Sequence, residues 1–433
     1  MIELEKREQV LRTTAIVVGE GGYAVNYEHL DIRLPEGDNY FQYHHGNIPN
    51  NPGVEVTNIA LCGMVALQEN PNRPGDYMFA NHATLINRGT IDIHFADIYR
   101  LYLERKAQSE HPEDVRFDTV RCYAMAAGDD SMLINEGVIN VYMDQDIDAE
   151  VSLYGCALWA NAHSFMHNLG EIHFIGNGSY QTYTRGIGSM ASHLKCINDG
   201  VVTVDMPRSY QTRILHTAGQ GGALVNNGKI SVKTSGRIMV LGSLCGTLMQ
   251  NYGKIEVCSL ATWLENKVPY HYQFNPLATA FYEHFMANDL QAATTLNAGD
   301  IHVHLSGTEA SGDDAVAFAY YLHQVGSGPV AIHRLANEGT IKVTQEGPVK
   351  YLTADVGVNI QSPGDVPVNV KIGKWNIDGH TDEQLTGLFV GRSARFDLAD
   401  LELSPNKSSI DKKQMVRQLE TSRQAGETFE VKF

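Results

Sequence analysis

Apolar and polar residues alternate along this chain in short runs that follow one recurring corner, Asn-x-Gly. The copies are Asn87-Arg88-Gly89, Asn135-Glu136-Gly137, Asn168-Leu169-Gly170, Asn198-Asp199-Gly200, Asn226-Asn227-Gly228, Asn251-Tyr252-Gly253, Asn297-Ala298-Gly299 and Asn337-Glu338-Gly339. Two residues after each Gly stands Ile or Val: Ile91, Ile139, Ile172, Val202, Ile230, Ile255, Ile301 and Ile341. Two further on comes a second apolar residue, from Ile93 and Val141 through to Val343. A period of two is the signature of a strand with one buried face. A degenerate ninth copy is expected at Lys371-Ile372-Gly373-Lys374-Trp375-Asn376-Ile377. Gly is expected at the corner because it accepts a positive φ, and Asn because it tolerates the left-handed region better than other non-glycine residues. If each Asn occupies the same corner of a stacked coil, its amide can bond to those above and below as a ladder.

Successive corner glycines are 48, 33, 30, 28, 25, 46, 40 and 34 residues apart. The shortest step fits three strands of about five residues with tight turns, one coil of a three-sided parallel helix. A second strand precedes each corner, as in Cys122-Tyr-Ala-Met and Gly155-Cys-Ala-Leu-Trp. The expected fold is all-β: a single right-handed parallel β-helix of about ten coils with an Asn ladder and capped ends. Residues 1–50 are expected to form an N-terminal cap, 51–400 the helix, and 401–433 a C-terminal cap or tail. Insertions are expected at 102–118, 259–293 and 304–331, and Ser408–Arg423 as a short charged helix.

Charge narrows the partners. Fifty acidic against 33 basic side chains give a formal charge of −17. A nucleic-acid binder would carry a basic patch, and an anionic membrane would repel this balance. No stretch is long and apolar enough for a spanning helix, so no membrane insertion is expected. The charged start, Met-Ile-Glu-Leu-Glu-Lys-Arg-Glu-Gln, is unlike the apolar core of a signal peptide. The expected localisation is cytoplasmic, or export by a signal-less route. Cys62, Cys122, Cys156, Cys196, Cys245 and Cys258 occur singly, without C-x-x-C spacing, and read as small buried hydrophobes.

Candidate chemistry is sparse. Gly128-Asp129-Asp130 and Gly312-Asp313-Asp314 are adjacent acid pairs. Neighbours on a strand point to opposite faces, so neither pair alone supplies the two facing carboxyls that glycoside hydrolysis needs. Turn acids are the simpler explanation, with Asp313 and Asp314 the only catalytic candidates. His163, His167 and His173 cluster in sequence, and His302 and His304 share one strand face, but neither set has metal-ligand spacing; no metal or cofactor is expected. Ser179-Tyr-Gln-Thr recurs as Ser209-Tyr-Gln-Thr, 30 residues on, matching the Gly170 to Gly200 step. Stacked in adjacent coils, Tyr180, Tyr183, Arg185, Tyr210 and Arg213 would form an exposed patch for a sugar ring. A second candidate is the aromatic span Ser259–Ala293, with Trp263, Tyr270 and Tyr272. Simple duplication of a loop, and a small core that a lobe of this size needs for itself, are the preferred accounts of these two.

The coils from about residue 83 to 377 resemble the passenger domains of bacterial autotransporters and related pectin-lyase-like β-helices. The resemblance implies a bacterial source and a surface used for adhesion or host contact. Ser311-Gly-Asp-Asp-Ala-Val-Ala-Phe is similar to the Gly-Asp-Asp strand of polygalacturonases, without that family's Asn-Thr-Asp, His-Gly and Arg-x-Lys in order. The leading expectation is a non-enzymatic binding or structural protein whose partner is a glycan or a host surface protein. The alternatives are a lyase or hydrolase acting on an acidic polysaccharide, and a secreted effector.

Overall fold

A computed structural model describes residues 11–33, 55–71, 77–95, 107, 115–143, 152–178, 182–217, 220–243, 246–260, 277–286, 294–306, 316–325, 332–346, 352–361, 368–375, 388–390, 394–397 and 430–432. The described strands build three parallel sheets, the arrangement of a right-handed parallel β-helix. The chain divides into two compact units, Met1–Ile187 with Val204–Tyr210, and Gly188–Thr203 with Gln211–Phe433.

In the first unit, one sheet runs through β1 (Leu11–Val18), β4 (Glu55–Glu69), β8 (Val115–Ala127), β11 (Ser152–Ala160) and β14 (Thr182–Gly188). The second holds β3 (His29–Ile32), β7 (Thr90–His94), β10 (Val138–Tyr142) and β13 (Glu171–Ile175). The third holds β2 (Tyr23–Asn26), β6 (Thr84–Asn87), β9 (Met132–Asn135) and β12 (Phe165–Asn168). A short strand, β5 (Tyr77–Phe79), folds back antiparallel on β4. Residues 11–32 thus complete a coil of their own, where a cap over 1–50 was expected.

The second unit repeats the plan. Its first sheet contains β17 (Gln211–Thr217), β20 (Arg237–Ser243), β23 (Leu277–Met286), β26 (Val316–Val325), β29 (Leu352–Gln361) and β31 (Leu388–Val390). Its second contains β19 (Lys229–Thr234), β22 (Lys254–Ser259), β25 (Asp300–Ser306) and β28 (Thr340–Glu346). Its third contains β15 (Lys195–Asn198), β18 (Ala223–Asn226), β21 (Leu248–Asn251), β24 (Thr294–Asn297), β27 (Ile332–Asn337), β30 (Val368–Trp375), β32 (Ala394–Asp397) and β33 (Glu430–Lys432). One further strand of the second sheet, β16 (Val201–Met206), is divided between the units. β23 and β26 are ordinary strands of the first sheet, so the spans 259–293 and 304–331 are not insertions throughout. Ser408–Arg423 lies outside the described residues.

The second sheet alternates as its sequence demands. Ile91, Ile139 and Ile172 align in register and are fully buried, with Ile93, Val141 and Phe174 a step further along. Each such side chain contributes about 2 kcal/mol by leaving water.

The Asn ladder runs up the third sheet. In the first unit Asn26 Nδ2 donates to Asn87 Oδ1, Asn87 to Asn135 and Asn135 to Asn168, each at 2.8 Å. In the second unit Asn198 donates to Asn226, Asn226 to Asn251, Asn251 to Asn297 and Asn297 to Asn337, at 2.7–2.8 Å. The second amide hydrogen is also used: Asn87 Nδ2 donates to the Gly89 carbonyl, and Asn251 Nδ2 to that of Gly253, both at 3.2 Å. Buried amides satisfied on both sides hold the coil register without a desolvation penalty.

Three expectations about the repeat need correction. No corner glycine and no ladder Asn has a positive φ. A Cβ on Gly137 would instead fall inside the Gly89 carbonyl oxygen of the coil before it, and the same clash recurs at Gly170, Gly253 and Gly339. The glycine is required by the closeness of stacked coils. In seven coils a left-handed residue sits five positions before the ladder Asn: His82 (φ 57°), Asp130 (φ 53°), His163 (φ 59°) and His193 (φ 56°), and Gly21, Gly221 and Gly246. Asn26 is a further rung, whose corner reads Asn26-Tyr27-Glu28; Glu28 stands in the first described coil, where no described coil precedes it. Lastly, the ninth motif is out of step. β30 aligns Lys371 with Arg334 and Trp375 with Asn337, which leaves Gly373 inside a strand.

Candidate functional site

The outer face of the first sheet in the first unit carries a cluster of aromatic and cationic side chains. Arg121, Tyr154 and Tyr183 occupy one register column on β8, β11 and β14, and all three are half-buried. The Tyr154 and Tyr183 rings stack at 4.3 Å with 4° between their planes. The Arg121 guanidinium lies 5.5 Å from the centre of the Tyr154 ring, and that of Arg185 5.7 Å from Tyr183. Tyr210 meets Tyr183 edge-on at 5.1 Å and 73°. Parallel strands put like positions about 4.8 Å apart, so flat side chains in one column stack by default.

Beside this column runs a second, Cys62, Tyr123, Cys156 and Arg185. Tyr123 packs edge-on against Phe79 of β5 at 5.4 Å and against Trp159 at 5.8 Å. Burial pushes the Tyr123 and Tyr183 phenols well above their ordinary range, and raises the Cys156 thiol to about 12. Burial opposes the charge of Arg121, but the phenol oxygens of Tyr123 and Tyr154 offset it and leave the guanidinium more basic than usual. At neutral pH Tyr123 and Tyr183 therefore keep neutral hydroxyls beside the fixed positive charge of Arg121.

The sequence-based candidates fare unevenly. Tyr183 lies in the ladder. Arg185, Tyr210 and Arg213 are 8%, 5% and 7% exposed, so the expected open patch is a buried one. The paired Ser-Tyr-Gln-Thr segments are also offset. The Tyr210 N–H donates to the Thr182 carbonyl at 2.9 Å, and Ser209 Oγ to the same oxygen at 3.2 Å, so the second copy begins beside the end of the first. The segment precedes its ladder Asn, so the step that aligns the two is the 28 residues from Asn198 to Asn226 rather than the 30 before it. Tyr180, Trp263, Tyr270, Tyr272, Asp313 and Asp314 lie outside the described residues.

Arg121 and Tyr154 were missed. Counting back from the ladder Asn finds them: Arg121, Tyr154 and Tyr183 stand 14, 14 and 15 residues before Asn135, Asn168 and Asn198. The other acid pair is structural. Asp129 Oδ1 accepts the Ala162 N–H at 3.0 Å, while the Asp129 N–H donates to Asn81 Oδ1 at 2.8 Å, and Asp130 turns the corner. His173 pairs with Glu171 at 2.9 Å, and His302 and His304 both meet Thr344 Oγ1, at 3.0 and 2.8 Å. Among the described residues no three His, Cys, Asp or Glu side chains are placed to hold a metal ion, and no helix is long and apolar enough to cross a membrane.

Three parallel sheets and a buried Asn ladder define a right-handed parallel β-helix. Within that class, residues 1–193 match the family model described as the BigA third pectate lyase-like domain, a span that contains Arg121, Tyr154, Tyr183 and Arg185. No curated protein and no solved structure matches the chain.

Proposed function

We propose that this bacterial β-helix is a non-enzymatic binding protein for an acidic glycan, with adhesion or host contact as its setting. The observation that carries this reading is the half-exposed column of Arg121, Tyr154 and Tyr183. The tyrosine faces are occupied by each other, by Arg121 and by the edge of Tyr210. A sugar ring therefore meets ring edges, hydroxyls and a guanidinium rather than a free stacking face. Such a rim recognises hydroxyls by neutral hydrogen bonds and a uronic carboxylate by a charge-assisted one. On a chain of charge −17, a local cation is also what brings a polyanion to this face in preference to others.

Two variants test the reading while sparing the stack. Tyr154→Phe keeps the ring and removes only the hydroxyl; Arg121→Gln keeps a planar donor and removes the charge. Titration of the full chain with polygalacturonate and other acidic oligosaccharides should show affinity lowered about 5-fold by the first and more by the second, as expected for one neutral and one charged hydrogen bond. Equal affinity for both variants and the parent chain would remove this site from the proposal.

A further inference from the structure

In the first unit the outer face of the third sheet is apolar where that of the second sheet is polar. β2, β6, β9 and β12 pair in register, so alternation turns Tyr23, Val25, Ile86, Met132, Ile134 and Phe165 away from the core in adjacent columns. On β3 and β7 the outward positions hold His29, Asp31, Asp92 and His94 instead. Tyr23 and Met132 are 66% and 37% exposed, and the corner beside them adds Tyr27 at 64% and Leu169 at 46%. Single exposed apolar side chains are ordinary, but a contiguous set on one face marks a contact surface. Between the two corner residues, Arg88 Nε and Glu136 Oε2 form an ion pair at 2.8 Å that stays half-exposed. From β2 to β12 the corner therefore runs Tyr27, Arg88, Glu136, Leu169, with apolar ends around two opposite charges.

We propose that this face binds the same face of a second copy of the chain. A two-fold axis running along the strands, between β6 and β9, lays β6 on β9 and β2 on β12 of the other copy. Arg88 then meets Glu136 of the second copy, and Glu136 its Arg88, while Tyr27 meets Leu169 and Ile86 meets Ile134. A two-fold contact requires such self-complementarity, and the order of residues along the corner supplies it. Charge points to the same partner. Two chains of charge −17 repel one another over most of their surfaces, but on this face the charges of Arg88 and Glu136 cancel. Four strands about 4.8 Å apart and five residues of about 3.3 Å each make a face of roughly 300 Å². A standard interface takes about 800 Å² from each partner, so this contact is weak and depends on concentration. It lies on a different sheet from the Arg121–Tyr154–Tyr183 column and does not depend on glycan binding there.

Sedimentation equilibrium of the full chain, from micromolar to near-millimolar concentration, should show reversible exchange between monomer and dimer. Met132→Lys should abolish it while leaving the melting temperature unchanged, since that side chain is on the surface. The two-fold pairing has a sharper test. Arg88→Glu and Glu136→Arg each set like charges against one another across the axis, so either variant alone should associate at least about 10-fold more weakly than the parent. Mixed together, the two variants bring opposite charges face to face and should associate again. A parent chain that stays monomeric throughout would overturn the inference. So would dimers undiminished by Met132→Lys, or a mixture that associates no better than its components. Should Met132→Lys fail to fold, the two charge variants and their mixture decide alone.

Discussion

At every Asn-x-Gly corner the absent β-carbon of the glycine makes room for the carbonyl oxygen of the coil before it, and the adjacent Asn joins those coils through its amide. The two residues therefore solve one problem, close stacking, by different means. The ladder and its period were legible in the sequence because both residue types recur at fixed spacing. The reason for the glycine was not legible, since a left-handed turn and a steric gap both call for Gly in one dimension of sequence. Glu28 helps to separate them: it fills the corner position only in the first described coil. Gly137 offers a direct comparison. Gly137→Ala should lower stability by about 3 kcal/mol through overpacking, and Gly137→Asn by at least as much, read as shifts in urea midpoint. A left-handed corner would give the opposite order, with Asn the milder change.

Among elements, the strands of the second sheet show how a column of like positions becomes an electrostatic unit. On β3 and β7, Asp31 and Asp92 are register partners. His29 Nε2 lies 2.8 Å from Asp92, His94 Nε2 3.3 Å from Asp31, and Arg33 Nε 3.0 Å from Asp31. Asn140 of β10 donates to Asp92 at 2.7 Å, and Tyr142 stacks on His94 at 4.5 Å. The hydrogen bond from Arg33 holds Asp31 below the ordinary carboxylate range. His94 is paired with Asp31, but burial and then Arg33 outweigh that carboxylate and lower its pKa below 6.5. The folded state thus binds fewer protons than the unfolded one at both residues. Their stabilisation is complete above the unfolded values, and is lost for His94 as pH falls from about 6.5 and for Asp31 below about 3.9. His94→Gln should flatten the first of these losses, measured as the difference in urea midpoint between variant and parent from pH 7.5 to 5. An identical pH profile for both chains would show that His94 does not titrate with folding. None of this cluster was legible in the sequence, because residues 29–33 and 92–94 are brought together only by the coil step.

For the whole molecule, sequence periodicity was enough to specify a parallel β-helix, while the candidate site was only partly visible. Tyr183 and Arg185 were singled out for the wrong reason, a repeated tetrapeptide whose copies prove to be offset by the length of the following turn. Tyr154 and Arg121 became apparent only when strands were aligned on the ladder Asn that follows them. Asp129 accepts a backbone N–H and Asp130 forms the corner, so both are parts of the scaffold. The central claim, binding of an acidic glycan without cleavage, is tested most directly by incubating the purified full chain with polygalacturonate and following chain length by mass spectrometry. The account predicts an unchanged length distribution at protein concentrations that saturate binding. Shortened chains, with either unsaturated or hydrolysed ends, appearing in proportion to protein and time would contradict it.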